Sequence, residues 1–122
     1  MPGRTVLIVE DEVLIAMSLE DDVRHMGLVP LSTPHLDEAL LLAEDKNLVA
    51  AVLDVKLRDL TSEGVAALLR QRGIPFVVST GSGTSLQGTS FDGAPMLTKP
   101  YPGRELRALL AQFVPTAEPI ET

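Results

Sequence analysis

The chain has 122 residues, of which 45% are apolar, so it is long enough to fold as one domain around a sizeable core. The absence of cysteine excludes disulfide scaffolds, thiolate metal sites and cysteine catalysis. A formal net charge of −7 would repel a nucleic-acid backbone. The apolar runs are far shorter than the roughly 20 residues that span a bilayer, and acids at positions 10–12 interrupt the first of them. We therefore expect a cytoplasmic protein with no nucleic-acid or membrane partner.

Hydrophobic periodicity predicts five strands that alternate with helices. Residues 5–9 form an apolar run that is typical of a strand buried on both faces, and a helical pattern extends from residue 12 to a stop at Gly27. The same criteria then predict a strand at 28–31, a helix at 36–43, a strand at 49–53, a helix at 65–73, strands at 76–80 and 96–97, and a helix at 106–113. Such alternation implies an α/β fold with a parallel sheet and helices on both faces.

The segment 82–93 lacks a helical period. Its three glycines each cost a helix about 1 kcal/mol relative to alanine, and its five serine and threonine residues add to that cost. We therefore predict a short, irregular or absent helix here. We expect one domain over residues 1–114, followed by a flexible tail at 115–122.

Polar residues lie at the ends of four of the five predicted strands. They are Glu10 and Asp11 after the first strand, Asp54 after the third, Thr80 at the end of the fourth and Lys99 after the fifth. In an open parallel sheet, ligands bind outside the carboxyl ends of the strands. These residues are therefore the candidates for a functional site.

Each candidate also has an ordinary structural explanation. Asp11 could cap the N-terminus of the next helix, Thr80 could be a plain strand residue, and Lys99 could be a surface lysine. Asp54 could lie in a solvated turn, but it follows a buried apolar run, where a charge needs a partner. Three carboxylates within about 5 Å would repel by about 3 kcal/mol per pair at an effective dielectric of about 20, so the combination calls for a cation. Oxygen ligands with open positions suit Mg²⁺.

Four motifs carry a resemblance to a known family. They are Val-Leu-Ile-Val-Glu-Asp-Glu at 6–12, Val-Leu-Asp-Val at 52–55, Val-Ser-Thr-Gly at 78–81 and Leu-Thr-Lys-Pro at 97–100. In this order, over residues 5 to about 114, the chain resembles the receiver domain of two-component response regulators. The resemblance implies a flavodoxin-like, doubly wound five-stranded sheet with the strand order 2-1-3-4-5.

The resemblance implies a magnesium-dependent phosphorylation site. Asp54 would be the phosphoacceptor, and Mg²⁺ would be the cofactor. The ligands of the ion would be the carboxylates of Glu10, Asp11 and Asp54 and the backbone carbonyl of Lys56. This assignment agrees with the need of phosphoryl transfer for positioning and charge neutralisation.

The implied function is that of a single-domain response regulator, which accepts a phosphoryl group from a phosphohistidine and signals by a conformational change. Thr80 and Lys99 would contact the phosphoryl group, and the peptide bond between Lys99 and Pro100 is cis in most receivers. The implied partners are a histidine kinase or histidine phosphotransfer protein and a downstream protein target. The chain would have phosphotransfer and autodephosphorylation chemistry without being an enzyme in the ordinary sense.

Two positions depart from the common receiver pattern. Met96 stands three residues before the lysine, where receivers commonly carry tyrosine or phenylalanine, and Arg58 stands where many carry proline. The sequences at 73–76 and 80–83 resemble those of a subset of stand-alone alphaproteobacterial receivers that carry a Phe-Ala-Thr-Gly motif. This chain has Val78 where that motif has phenylalanine.

Three other functions are compatible with the fold class. A phosphatase with an Asp-x-Asp pair would need an aspartate where this chain has Lys56, so the sequence argues against this function. A nucleotide or flavin module would need a glycine-rich turn after the first strand, where this chain is acidic. A phosphorylation-independent interaction module with the receiver fold is the third alternative, and the intact acids, threonine and lysine argue against it.

The first predicted helix carries a wide apolar surface. Every residue from 13 to 17 is apolar, which exceeds the stripe that one sheet face buries. Receivers present this helix and the loop after the fifth strand to a histidine-bearing partner, so Leu14 and Met17 are candidate docking residues. The alternative is that the last helix covers them.

Overall fold

The computed structural model describes residues 3–58, 60–81 and 86–114. The elements along these residues are, in chain order, β1 (Thr5–Val9), α1 (Val13–His25), β2 (Val29–Thr33), α2 (Leu36–Leu42), β3 (Leu48–Asp54), β4 (Lys56–Leu57), β5 (Leu60–Thr61), α3 (Glu63–Gln71), β6 (Phe76–Thr80), β7 (Met96–Thr98) and α4 (Gly103–Phe113). The predicted tail at 115–122 lies outside the described residues. Among the described helices, none has the length and apolar character needed to cross a membrane.

The main sheet has five parallel strands in the order β2-β1-β3-β6-β7. Numbered among themselves, these strands have the order 2-1-3-4-5, so the predicted fold class is confirmed. β1 and β6 are buried at every residue, which explains why their sequences are mostly apolar.

Helices cover both faces of the sheet. On β1, Leu7 and Val9 pack in one core cluster with buried residues of α2 and α3, whereas Val6 and Ile8 pack in a second cluster with buried residues of α1 and α4. Burying a large aliphatic side chain of this kind stabilises a fold by about 1.5–3 kcal/mol. The two clusters hold the strands in place from both sides, and thereby set the positions of the strand ends.

Glycines end two of the helices, as the sequence predicts. Gly27 follows α1 with φ +78°, and the next amide, of Leu28, donates a hydrogen bond to the Val23 carbonyl at 3.2 Å. The same arrangement ends α3 at Gly73, which has φ +71°. Both are Schellman motifs, in which a residue without Cβ adopts the left-handed conformation at no steric cost.

Several elements begin or end one to three residues away from the predicted bounds, and two differences have a clear cause. β2 extends to Thr33, two residues beyond the predicted end, because it pairs with β1 along the whole length of that strand. β4 and β5 form an antiparallel hairpin in a stretch that the sequence predicts to be irregular.

The predicted irregular segment is described from residue 86 onward. Residues 86–94 contain turns and no helix, and the predicted part at 82–85 lies outside the described residues. The turns are held against α3, because the Arg70 guanidinium donates hydrogen bonds to the Ser90 and Asp92 carbonyls and Glu63 accepts one from the Ser90 amide. Phe91 anchors the segment in the core. This part of the chain is therefore irregular but packed.

Candidate functional site

Three carboxylates meet at the carboxyl edge of the main sheet. Glu10 and Asp11 directly follow β1, and Asp54 is the last residue of β3, its neighbour in the sheet. One oxygen of each side chain lies within 4.8 Å of the other two. Glu10 and Asp54 are buried and Asp11 is half-buried. The sheet order therefore brings together acids that are more than 40 positions apart along the chain, from Asp11 to Asp54.

Lys99 supplies the positive charge of this cluster. Its Nζ lies 2.9 Å from Glu10 Oε1, 3.1 Å from Asp54 Oδ2 and 3.8 Å from Glu12 Oε2. Its backbone amide donates to the Thr80 carbonyl at 2.9 Å, which ties the end of β7 to the end of β6. The peptide bond between Lys99 and Pro100 is cis.

Burial and charge act on both members of the central ion pair. Burial raises the pKa of the Glu10 carboxyl, and the hydrogen bond from Lys99 opposes this shift only in part. Burial by itself would lower the pKa of Lys99, but hydrogen bonds to Glu10 and Asp54, together with their charges, raise it. Lys99 is therefore held in its charged form between the two acids.

The cluster has the chemistry of a site for a hard cation. The ammonium group of Lys99 pairs closely with two of the three carboxylates, Glu10 and Asp54, so one positive charge faces a larger negative charge. Glu10 Oε1 is buried and accepts no hydrogen bond of good geometry, although Lys99 Nζ lies 2.9 Å away. Oxygen donors of this kind fit Mg²⁺, which prefers carboxylate and carbonyl ligands and retains several waters.

A cavity of about 600 Å³ opens over the cluster. Its wall includes Asp11, Asp54, Lys56, Thr80 and Lys99. Five of the six sequence-predicted site residues thus line one space, and the sixth, Glu10, is buried and contacts Lys99 of that wall. Thr80 is buried at the end of β6, and the exposed side chain of Lys56 belongs to β4.

Asp11 does not cap the N-terminus of α1 in the structure. The N-cap position of α1 is occupied by Glu12, which makes no capping hydrogen bond with its side chain. The Glu12 amide donates instead to Glu10 Oε2 at 3.1 Å. The start of α1 thus helps to orient the Glu10 carboxylate and leaves Asp11 at the cavity.

The short hairpin of β4 and β5 forms one wall of the cavity. Lys56 pairs with Thr61, and Leu57 pairs with Leu60. At the turn, Arg58 adopts a positive φ of 58°, in the left-handed region that non-glycine residues seldom occupy. The sequence does not predict this hairpin, because two-residue strands show no hydrophobic period.

Ser62 is a further site residue that the sequence does not predict. It lies at the N-cap of α3, and its hydroxyl donates a hydrogen bond to the Asp54 carbonyl at 2.6 Å. A serine followed by an acid is an ordinary sign of a helix start. No sequence pattern indicated that its side chain contacts the end of β3.

The apolar surface of α1 remains open beside the site. Leu14 is 81% exposed and Met17 is 55% exposed, so α4 does not cover them. A cavity of about 520 Å³ lies between α1 and the loop after β7, and Leu14, Lys99 and Tyr101 line it. Leu14 therefore lies next to the acidic cluster, and Met17 follows it on the same helix.

Comparisons with solved structures identify several similar folds. SdrG from Sphingomonas melonis is 38% identical, with 93% of this chain and 98% of that chain covered and a TM-score of 0.77. A CheY-like response regulator receiver domain protein from Methanospirillum hungatei is 22% identical over 91% of this chain and 93% of that one, with a TM-score of 0.78. The receiver domain of a sensor histidine kinase from Pseudomonas aeruginosa, with a magnesium ion coordinated in its active-site cleft, is 21% identical. The match covers 92% of this chain and 98% of that one, with a TM-score of 0.77. No protein-family model and no curated protein match the chain.

Proposed function

The chain belongs to the family of CheY-like response regulator receiver domains, and from this premise we propose that it accepts a phosphoryl group from a phosphohistidine on the carboxylate of Asp54. The observation that carries the proposal is the position of Asp54, a buried strand-end acid that contacts Lys99 and borders an acidic cavity. The narrower assignment to the alphaproteobacterial subset stays a prediction.

In the proposed reaction, an oxygen of the Asp54 carboxylate attacks the phosphorus atom of the phosphohistidine. The new O–P bond forms as the P–N bond breaks, and the electron pair of that bond remains on the imidazole of the donor. The product is an aspartyl phosphate and a free histidine. The chain is thus a phosphoacceptor that is itself modified, rather than an enzyme that turns over a separate substrate.

The proposed ligands of Mg²⁺ are the carboxylates of Glu10, Asp11 and Asp54 and the backbone carbonyl of Lys56. When bound, the ion would neutralise charge that develops on the phosphoryl oxygens. The acids of the cluster lie within 4.8 Å of one another, and Lys56 lines the same cavity.

Lys99 and Thr80 are the proposed partners of the phosphoryl group. The ammonium group of Lys99 already lies 3.1 Å from Asp54 Oδ2, so it can turn to a phosphoryl oxygen with little movement. Thr80 lines the cavity at the end of the neighbouring strand, and its hydroxyl can donate to another phosphoryl oxygen. A change in the contacts of these two residues would connect phosphorylation to β6 and β7.

The proposed phosphodonor is a histidine kinase or a histidine phosphotransfer protein that docks on the start of α1. Leu14 offers an apolar contact beside the cavity, and the exposed Met17 extends this apolar surface along α1, so a bound helix could present its histidine to Asp54. The downstream target of the phosphorylated chain is a further protein partner.

Intact-mass spectrometry after incubation with acetyl phosphate and MgCl₂ tests the proposal. We expect one phosphoryl group per chain, with the alkaline lability of an acyl phosphate, and a much lower yield when EDTA replaces MgCl₂. A chain that remains unmodified, or one whose modification resists alkali, would contradict the proposal. The unmodified result would instead favour a phosphorylation-independent interaction module.

A further inference from the structure

The hydroxyl of Ser62 contacts the backbone of the proposed phosphoacceptor. Ser62 is only 1% exposed, and its Oγ donates a hydrogen bond to the Asp54 carbonyl at 2.6 Å. Its backbone amide donates to the Val55 carbonyl at 3.0 Å. Two hydrogen bonds therefore join the end of β3 to the start of α3, and they close the loop that contains Lys56.

The usual role of a serine at a helix N-cap does not account for this hydroxyl. Such a side chain ordinarily accepts a hydrogen bond from an amide of the first helical turn. The Ser62 side chain makes no capping bond, and the adjacent Thr61 Oγ1 accepts from the Glu63 amide at 3.2 Å. The Ser62 hydroxyl is directed to Asp54 instead of to its own helix.

The contact constrains two groups that the proposed function uses. The carbonyl of Asp54 belongs to the peptide group that follows this residue, so its orientation affects both the Asp54 side chain and the chain direction toward Lys56. On the other side of the loop, Lys56 is held by its pairing with Thr61. Ser62 and the hairpin thus hold the loop at both ends. Without the hydroxyl, the buried carbonyl would lose this hydrogen bond.

We infer that Ser62 is a positioning residue, which holds Asp54 and the Lys56 carbonyl in the arrangement needed for Mg²⁺ binding and phosphorylation. The part of the inference that concerns phosphorylation rests on the proposed function, since only a phosphoacceptor needs Asp54 in that arrangement. The part that concerns Mg²⁺ is tested independently by metal binding. Groups that orient ligands through one hydrogen bond commonly change metal affinity by about tenfold or more when they are removed.

The experiment compares the wild-type chain with Ser62→Ala, Ser62→Cys and the matched control Thr89→Ala. Amide chemical-shift titration with MgCl₂ gives the Kd of each folded protein, and acetyl phosphate at saturating MgCl₂ gives the phosphorylation rate. We expect Ser62→Ala to weaken Mg²⁺ binding by about tenfold and to lower the rate. Ser62→Cys, with a weaker donor of similar size, should fall between Ser62→Ala and the wild type. Thr89→Ala also removes a hydroxyl that donates to a backbone carbonyl, that of Leu86, but Thr89 does not line the cavity over the acids, so this variant should match the wild type.

The outcomes separate positioning from stability and from the proposed function. If Ser62→Ala or Ser62→Cys binds Mg²⁺ and is phosphorylated as well as the wild type, the inference is overturned, even if the variant is less stable to urea. If Ser62→Ala does not fold, the Ser62→Cys comparison decides. A wild-type chain that binds Mg²⁺ but accepts no phosphoryl group would contradict the proposed function, and the Kd values would still decide whether Ser62 orients the metal ligands.

Discussion

Two aspartates lie at opposite edges of the main sheet, and their surroundings differ. Asp45 lies at the amino edge, before β3, where one carboxylate oxygen accepts hydrogen bonds from the Thr5 hydroxyl at 2.8 Å and the Asn47 amide at 3.0 Å. Asp54 lies at the carboxyl edge, where it shares the ammonium group of Lys99 with a second buried carboxylate. At the amino edge, two donors form hydrogen bonds with one carboxylate. At the carboxyl edge, one ammonium group pairs with two buried carboxylates.

This difference separates a structural acid from an acid that is available to a ligand. The contacts of Asp45 are made within the turn before β3 and to the first residue of β1, and they need nothing from outside the chain. The acids around Asp54 come together only because β1 and β3 are neighbours in the sheet, and their summed charge exceeds that of Lys99. Uncompensated charge in a partly buried cleft destabilises the unliganded fold and is typical of binding sites.

Replacing each aspartate by alanine is the strongest test of this comparison. We expect Asp54→Ala to abolish formation of the acyl phosphate, because the nucleophilic oxygen is removed. Asp45→Ala should retain full phosphorylation but lower the free energy of unfolding by about 1–2 kcal/mol, since two hydrogen bonds are lost. Mass spectrometry with acetyl phosphate and urea denaturation measure the two effects. Undiminished labelling of Asp54→Ala would mean that another group is the phosphoacceptor.

Removing the cation of the cluster should have the next largest effect. Lys99→Ala leaves the acids without a counter-charge, so we expect the metal-free protein to lose about 2 kcal/mol of unfolding free energy. Saturating MgCl₂ should then stabilise this variant more than it stabilises the wild type. Arg24→Ala is the control, because it breaks surface ion pairs with Glu20 and Asp21 that contribute under about 1 kcal/mol each. Equal losses in the two variants, or equal stabilisation of Lys99→Ala and the wild type by MgCl₂, would contradict the excess of negative charge at the carboxyl edge.

The sequence was sufficient to predict the fold class, because its signals are local and repeated. The apolar run that becomes β6 has the predicted bounds, and Gly27 and Gly73 end their helices as expected. The sequence also predicted which acids follow strands, and the parallel topology then places such residues at one edge. The order of the strands came from the resemblance of the motifs, since periodicity alone does not specify which strands are neighbours.

The parts of the site that the sequence did not predict depend on contacts rather than patterns. The hairpin of β4 and β5 has two residues in each strand, too few for an alternation to be visible. Ser62 looks like any helix-capping serine until the Asp54 carbonyl is seen 2.6 Å from its hydroxyl. The extension of β2 to Thr33 depends on pairing with β1, not on its own apolar content.

A smaller effect is expected at the proposed docking surface beside the carboxyl edge. Leu14 on α1 and Leu41 on α2 are exposed to similar extents, 81% and 76%, but only Leu14 lies at the site. We expect Leu14→Asp to slow transfer from a phosphohistidine partner by about tenfold, as for a central apolar contact, while phosphorylation by acetyl phosphate is unchanged. Leu41→Asp should leave both reactions unchanged. If both variants slow transfer to the same extent, or if neither variant slows it, docking at the start of α1 is ruled out.

The smallest expected effect is a shift in the pKa of Tyr101, whose titration reports the environment beside the carboxyl edge. Tyr101 is the only tyrosine in a chain without tryptophan, so absorbance near 295 nm follows its phenol alone. Burial raises the pKa of this phenol, and the Ser79 hydroxyl opposes the shift without reaching good hydrogen-bonding geometry. The negative charge of Glu10 raises the pKa further, and the positive charge of Lys99 opposes it.

Because the pKa of Tyr101 is higher in the folded state, the associated stability is fully present below the unfolded-state pKa of about 10 and is lost as the pH rises through the folded-state pKa. We expect the folded chain to titrate at a higher pH than the same chain in urea, and its unfolding free energy to fall over that interval. Tyr101→Phe should remove this part of the pH dependence while keeping the aromatic ring in place. Coincident titration curves for the folded and unfolded chains would show that the phenol is as well solvated as a free tyrosine, and that the buried polar environment of the carboxyl edge does not extend to the loop after β7.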